Sequence, residues 1–137
     1  MNVKPLSRDL SVMPQIEAAD IADLAARGFK SIIGNRPESE APDQPAWSSL
    51  VAEAERRGMS ARQIPVIPGQ IGPDDVKRFA EALRDLPTPV AAFCRTGTRS
   101  AMLWALANPD GLNVDERIAA AAAQGYDLAP LRDRMGR

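Results

Sequence analysis

The chain has 137 residues, 45% hydrophobic and only 4% aromatic, with 17 basic against 18 acidic side chains and no histidine. That length suits one domain over residues 1–137, and a formal charge of -1 supplies no long-range field for nucleic acid or an anionic membrane. The missing histidine excludes Ser-His-Asp and Cys-His catalysis and histidine zinc sites; the single cysteine excludes an internal disulfide and a Cys-x-x-Cys pair.

Apolar periodicity predicts a β-α-β rhythm. Leu6 to Val12 reads as a turn into a short strand, with Leu10 and Val12 alternating about Ser11. Glu17 to Arg27 carries Ile21, Leu24 and Ala25 at helical spacing and stops at Gly28, and Phe29 to Ile33 forms the next strand. After it comes Gly34-Asn35-Arg36-Pro37-Glu38-Ser39-Glu40, at the end of a strand where open α/β sheets bind ligands. Arg36 has two equal readings there: it faces a ligand, or it pairs with Glu38 or Glu40 within a turn.

A helix is predicted over Gln44 to Arg57, with Trp47, Leu50, Val51 and Ala54 on its core face. Ala61 to Ile67 reads as a strand, which Pro65 assigns to an edge or an irregular end. Pro68 to Asp75 is a loop running into a helix that carries Val76, Phe79, Ala80 and Leu83. Asp74 and Asp75 are the general-acid candidates, although Pro and Asp in a first turn are ordinary helix-start residues, and that reading is favoured. Further helices are expected over Ser100 to Ala107, Val114 to Gln124 and Leu128 to Met135, with Gly136 and Arg137 as frayed ends. Ile32, Ile33, Val66, Val90, Ala92, Leu103 and Leu106 are the predicted core.

No window approaches about 18 uninterrupted apolar residues, and the first residues lack the apolar stretch of a secretion signal, so a cytoplasmic location is expected.

The most informative stretch runs from Pro89 to Trp104. An apolar strand ends on Cys94, the only cysteine, and Arg95-Thr96-Gly97-Thr98-Arg99-Ser100 follows before a helical pattern. Two arginines, two threonines and a glycine are poor core material but good anion ligands. Loop N–H groups, the positive end of the next helix and two guanidinium groups all favour charged sulfur, so Cys94 is read as a nucleophile rather than a buried hydrophobe.

Gly28-Phe29-Lys30, Ile33 to Glu38 and Phe93 to Ser100 together give a chain that resembles the cysteine-phosphatase fold over residues 3 to about 126. The closer resemblance is to the bacterial phosphatase-like domains of β-lactamase-hydrolase-like proteins. It implies an α/β fold with a central, mostly parallel sheet of about four or five strands flanked by helices.

Two departures bear on chemistry. Phosphatases of this fold have Cys-x5-Arg, whereas Arg99 follows Cys94 after four residues and Ser100 holds the arginine position; Phe93 replaces the preceding histidine. The segment resembling their acid loop, Pro68-Gly69-Gln70-Ile71-Gly72, has no aspartate. Losing a well-placed acid typically costs about 100- to 10,000-fold. Cys-x-x-Gly-x-Arg resembles instead the loop of rhodanese-type sulfurtransferases.

The favoured expectation is therefore sulfur transfer. Cys94 takes sulfur from thiosulfate or a small persulfide and passes it to an external thiol, with Arg99 and the loop N–H groups as anion ligands. Arg95, Thr96, Gly97, Thr98 and Arg36 are further anion- or substrate-binding candidates, and Ser100 is expected to cap or hydrogen-bond the sulfur. The resemblance also implies a setting beside sulfide or persulfide oxidation. The alternatives are a phosphatase acting on a phosphomonoester, with Asp74 or Asp75 as a displaced acid, and an anion-binding module without turnover. No cofactor or metal is expected.

Overall fold

In a computed structural model describing residues 1–136, five strands form one sheet in the order β1-β2-β5-β3-β4. They are β1 (Lys4–Pro5), β2 (Leu10–Met13), β3 (Ser31–Gly34), β4 (Ser60–Gln63) and β5 (Val90–Phe93). Only β1 runs antiparallel, pairing with β2 through Lys4 opposite Val12. In the parallel core, Ala91 of β5 lies opposite Ser11 on one side and Ile32 on the other. The fold is α/β, with a mostly parallel sheet flanked by helices, as expected.

Side-chain alternation along β5 explains why its sequence is uniformly apolar. Val90 and Ala92 belong to one buried cluster, with Phe79, Leu103 and Trp104, and Ala91 and Phe93 to another, with Ile21, Leu24 and Leu50. A strand covered on both faces cannot show a polar alternation. Helices α1 (Ala18–Ala26) and α2 (Trp47–Arg56) cover one face. The other is covered by α3 (Pro73–Asp85), α4 (Thr98–Ala107), α5 (Val114–Ala123) and the final 3-10 turn at Ala129–Met135.

Several boundaries differ from expectation. β1 escaped the sequence reading because two residues, one of them Pro5, carry no periodicity. β4 stops at Gln63, although Ile64 and Val66 still donate backbone N–H groups to Gly34 and Asn35; it is an edge strand, where Pro65 costs no ladder bond. Ile32, Ile33, Val66, Val90, Ala92 and Leu103 are buried as predicted, whereas Leu106 is only partly buried against the same core. The expected fraying of Arg137 falls outside the described residues. Among them, no helix is long and apolar enough to cross a membrane.

Candidate active site

β5 lies between β2 and β3, so the chain segments leaving all three strands converge at one end of the sheet. Gln15 follows β2, Asn35 and Arg36 follow β3, and Cys94 follows β5. This is the end at which an open parallel sheet leaves a crevice.

Cys94 is fully buried, and its Sγ accepts the N–H of Gly97 at 3.1 Å. Gly97 is the N-cap of α4, with φ +94°, a left-handed conformation that favours glycine. Space demands glycine as well: a Cβ at this position would meet the Tyr126 hydroxyl at 2.1 Å and the Met13 backbone at 3.2 Å. Tyr126 itself donates to the Thr96 carbonyl at 2.9 Å, which holds the outside of the loop. Burial, and then the charge of Cys94, push its phenol up to about 12.

Arg99, 7% exposed, reaches back over the site despite the short spacing. Its Nη1 donates to Glu40 Oε2 at 2.8 Å and to the Val66 carbonyl at 2.9 Å, and its Nη2 donates to Glu40 Oε1 at 2.8 Å. Glu40 is the strongest influence favouring the charged guanidinium; burial opposes it, and Cys94 adds a further favourable charge. Glu40 also accepts from Arg36 Nε at 2.9 Å, and Arg36 Nη1 donates to Gln15 Oε1 at 3.2 Å. The Arg99 hydrogen bonds first, then Arg36, hold the Glu40 carboxyl at about 2 against partial burial. A carboxylate so firmly ionised positions arginines and is a poor proton donor.

Of the two readings of Arg36, the pairing with Glu40 is the one observed. The residue also lines a cleft of about 520 Å³ with Glu40, Pro68, Arg95 and Arg99. Arg95 is exposed, and among the described residues it forms no ion pair. Thr96 and Thr98 share a hydroxyl–hydroxyl hydrogen bond of 2.9 Å at the surface of the loop.

Ser100, expected to hydrogen-bond the sulfur, instead donates to Asn35 Oδ1 at 2.7 Å, and Asn35 Nδ2 donates to the Ile64 carbonyl at 2.9 Å. That chain of contacts ties α4 to β3 and to the segment after β4. The acid candidates sit elsewhere. Asp75 Oδ2 accepts the Gly72 N–H at 2.9 Å as a helix cap, and its other oxygen pairs with Arg78 at 3.1 Å. Asp74 is exposed in the same first turn, and neither aspartate lines the cleft beside Arg99. Among the described residues, no group of three or more Cys, Asp or Glu side chains is placed to hold a metal ion.

Sequence reasoning missed three contributors: Glu40 as the clamp on Arg99, Asn35 as the link to Ser100, and Tyr126 as the brace of the loop. Only Glu40 left a signal, its four-residue spacing from Arg36.

A mostly parallel five-stranded sheet that delivers one cysteine and one clamped arginine from its central strand and the following helix defines a domain of the cysteine-phosphatase fold. More specifically, the chain belongs to the family described as Beta-lactamase hydrolase-like protein, phosphatase-like domain, which matches residues 2–111. It is similar to the Beta-lactamase hydrolase-like proteins of Xylella fastidiosa, at 34% identity over 130 residues, and of Agrobacterium fabrum, at 35% over 134. Each match covers 93% of this chain but 30% of the relative, so the chain spans less than a third of those proteins. Among solved structures, a Neisseria meningitidis protein provisionally described as a phosphatase shares 35% identity at a TM-score of 0.88, covering 99% of this chain and 97% of the other. The catalytic core of the PP-IP phosphatase Siw14 from S. cerevisiae shares the fold alone, at 16% identity and a TM-score of 0.71, covering 98% and 83%.

Proposed function

We propose that this domain is a cysteine-dependent phosphatase acting on small phosphate esters with good leaving groups. The observation that carries the reading is the hydrogen bonding of Arg99. A guanidinium has five N–H donors. Three are committed to Glu40 and Val66, leaving the Nε–H and one Nη2–H, which form the side edge of the group. Two parallel donors on one edge match two oxygens of a phosphoryl group, and Glu40 fixes the plane of the fork in advance.

The chemistry then follows from the positions of the groups. Cys94 Sγ attacks phosphorus, an S–P bond forms, and the P–O ester bond breaks with its electron pair leaving on the ester oxygen. Water next attacks the phosphocysteine, the S–P bond breaks, phosphate departs, and the sulfur regains its charge. Among the described residues Glu40 is the one carboxylate lining the cleft, held ionised, so the leaving oxygen takes its proton from solvent. Rates should fall steeply as the leaving group becomes more basic.

Sulfur transfer is the second reading. It is favoured by the four-residue spacing of Cys94 and Arg99 and by a leaving sulfite or thiolate that needs no acid. It ranks lower because relatives of this fold are phosphatases by name; the two-donor edge of Arg99 would serve the three oxygens of thiosulfate as well as those of a phosphoryl group. Steady-state hydrolysis of p-nitrophenyl phosphate, lost in Cys94→Ser, supports the phosphatase; rhodanese activity with thiosulfate and no phosphate release contradicts it.

A further inference from the structure

The cleft lined by Arg99, taken above as the approach to Cys94, has a neighbour that the chemistry above does not use. A second cleft of about 310 Å³ shares Arg36, Ala41 and Arg95 with the first, so the two are lobes of one groove divided by a pair of arginines. Its lining also includes Glu17 and Asp43. Both are exposed, and neither is ion-paired among the described residues, nor is Arg95. Arg36 is already answered by Glu40. The lobe is thus lined by one guanidinium and two carboxylates that form no ion pair among the described residues, Glu17 standing at the N-cap of α1.

That mixture of charges selects among ligands. A purely anionic extension would meet Glu17 and Asp43, and a purely cationic one would meet Arg95. A group with adjacent positive and negative charges satisfies both kinds of side chain. Resting on the assignment of the Cys94 lobe as the reaction site, we infer that the second lobe binds a zwitterionic α-amino-acid headgroup. Its carboxylate faces Arg95 and its ammonium faces Glu17 and Asp43. The substrate class is then a small phosphorylated amino acid rather than a phosphorylated protein side chain, whose amino and carboxyl groups are tied up in peptide bonds and carry no charge.

The test is calorimetric titration of Cys94→Ser, its fold verified by thermal melting, with O-phospho-L-tyrosine and with its N-acetyl amide. The headgroup should favour the free amino acid by about tenfold, ~1.4 kcal/mol. O-phospho-L-serine against ethyl phosphate repeats the comparison at shorter reach, and the preference should appear in at least one pair. Arg95→Ala, and separately Glu17→Gln with Asp43→Asn, should bring that ratio close to one. Equal affinities within twofold in both pairs, or a preference indifferent to all three substitutions, overturn the inference while leaving hydrolysis of p-nitrophenyl phosphate by the native protein to support the phosphatase reading. Should no phosphate ester bind or react, L-tyrosine and L-serine alone are titrated: binding that Arg95→Ala removes supports the zwitterion lobe without the phosphatase, and no binding of either overturns it.

Discussion

The loop after β5 and the loop after β4 border the same cleft and are built differently. After β5, the sulfur of Cys94 is bonded to Gly97, Arg99 is fixed by Glu40 and Val66, Ser100 by Asn35, and Thr96 by Tyr126. After β4, residues 67–70 are all exposed; Ile67 is 54% exposed, and Gly69 has no atom within 4 Å of where a Cβ would stand. One loop is preorganised to receive an anion. The other brings Pro68 to the cleft and no proton donor. The difference teaches that this site is specialised at the attacking end of the reaction and open at the leaving end.

Breaking the organised loop should produce the largest effects. Cys94→Ser removes the nucleophile and should lower kcat for p-nitrophenyl phosphate by at least about 10,000-fold, measured by product release. Arg99→Lys keeps the charge but loses the fork, and should lower kcat/KM by about 100- to 1,000-fold.

Glu40→Gln should act on two readouts. Activity should fall by about tenfold as the Arg99 plane loosens, and stability at pH 7 should drop by about 1–2 kcal/mol, allowing for partial exposure of the pair. The folded carboxyl sits at about 2 against an ordinary 4.5, so its contribution is complete above pH 4.5 and is lost as the pH falls towards 2. Denaturant midpoints of native and variant proteins should therefore converge across that window. If they stay apart down to pH 2, the stabilising contact is not ionic.

The smallest effects sharpen the comparison from the open side. Asp75→Asn should change kcat by less than about twofold while costing about 1 kcal/mol of stability through the α3 cap. A loss of 100-fold or more in kcat would instead make Asp75 the displaced acid. The single tyrosine gives a direct probe of the closed side. Its ultraviolet titration midpoint, raised to about 12, should fall modestly in Cys94→Ser, where the burial contribution remains and the sulfur's charge is gone.

Much of this arrangement was legible because β5 and the Cys94 loop differ so sharply in composition: Val90 to Phe93 has no side-chain hydrogen-bonding group, and Arg95 to Ser100 has one at every position but Gly97. Local chemistry sufficed for the helix starts at Pro73 and Val114, where Asp75 and Glu116 bond back to the caps. It could not show that Glu40 clamps an arginine 59 residues away, nor that Tyr126 crowds Gly97, because those contacts exist only once β5 is inserted between β2 and β3. Ser100 misled for a related reason. Its place in the loop pointed to the sulfur, but its hydroxyl donates to Asn35, which lies 65 residues away in the sequence. The four-residue spacing of Cys94 and Arg99 favours sulfur transfer, whereas the likeness to a solved structure provisionally described as a phosphatase favours phosphoryl transfer.

The most direct test of the central claim is rapid acid quench of the native protein with p-nitrophenyl phosphate, followed by intact and peptide mass spectrometry, with a thiosulfate-treated sample alongside. The account predicts one phosphoryl group on Cys94 during turnover, released by water as phosphate. A cysteine that gains one sulfur from thiosulfate, returns it to added thiol and is never phosphorylated would contradict it.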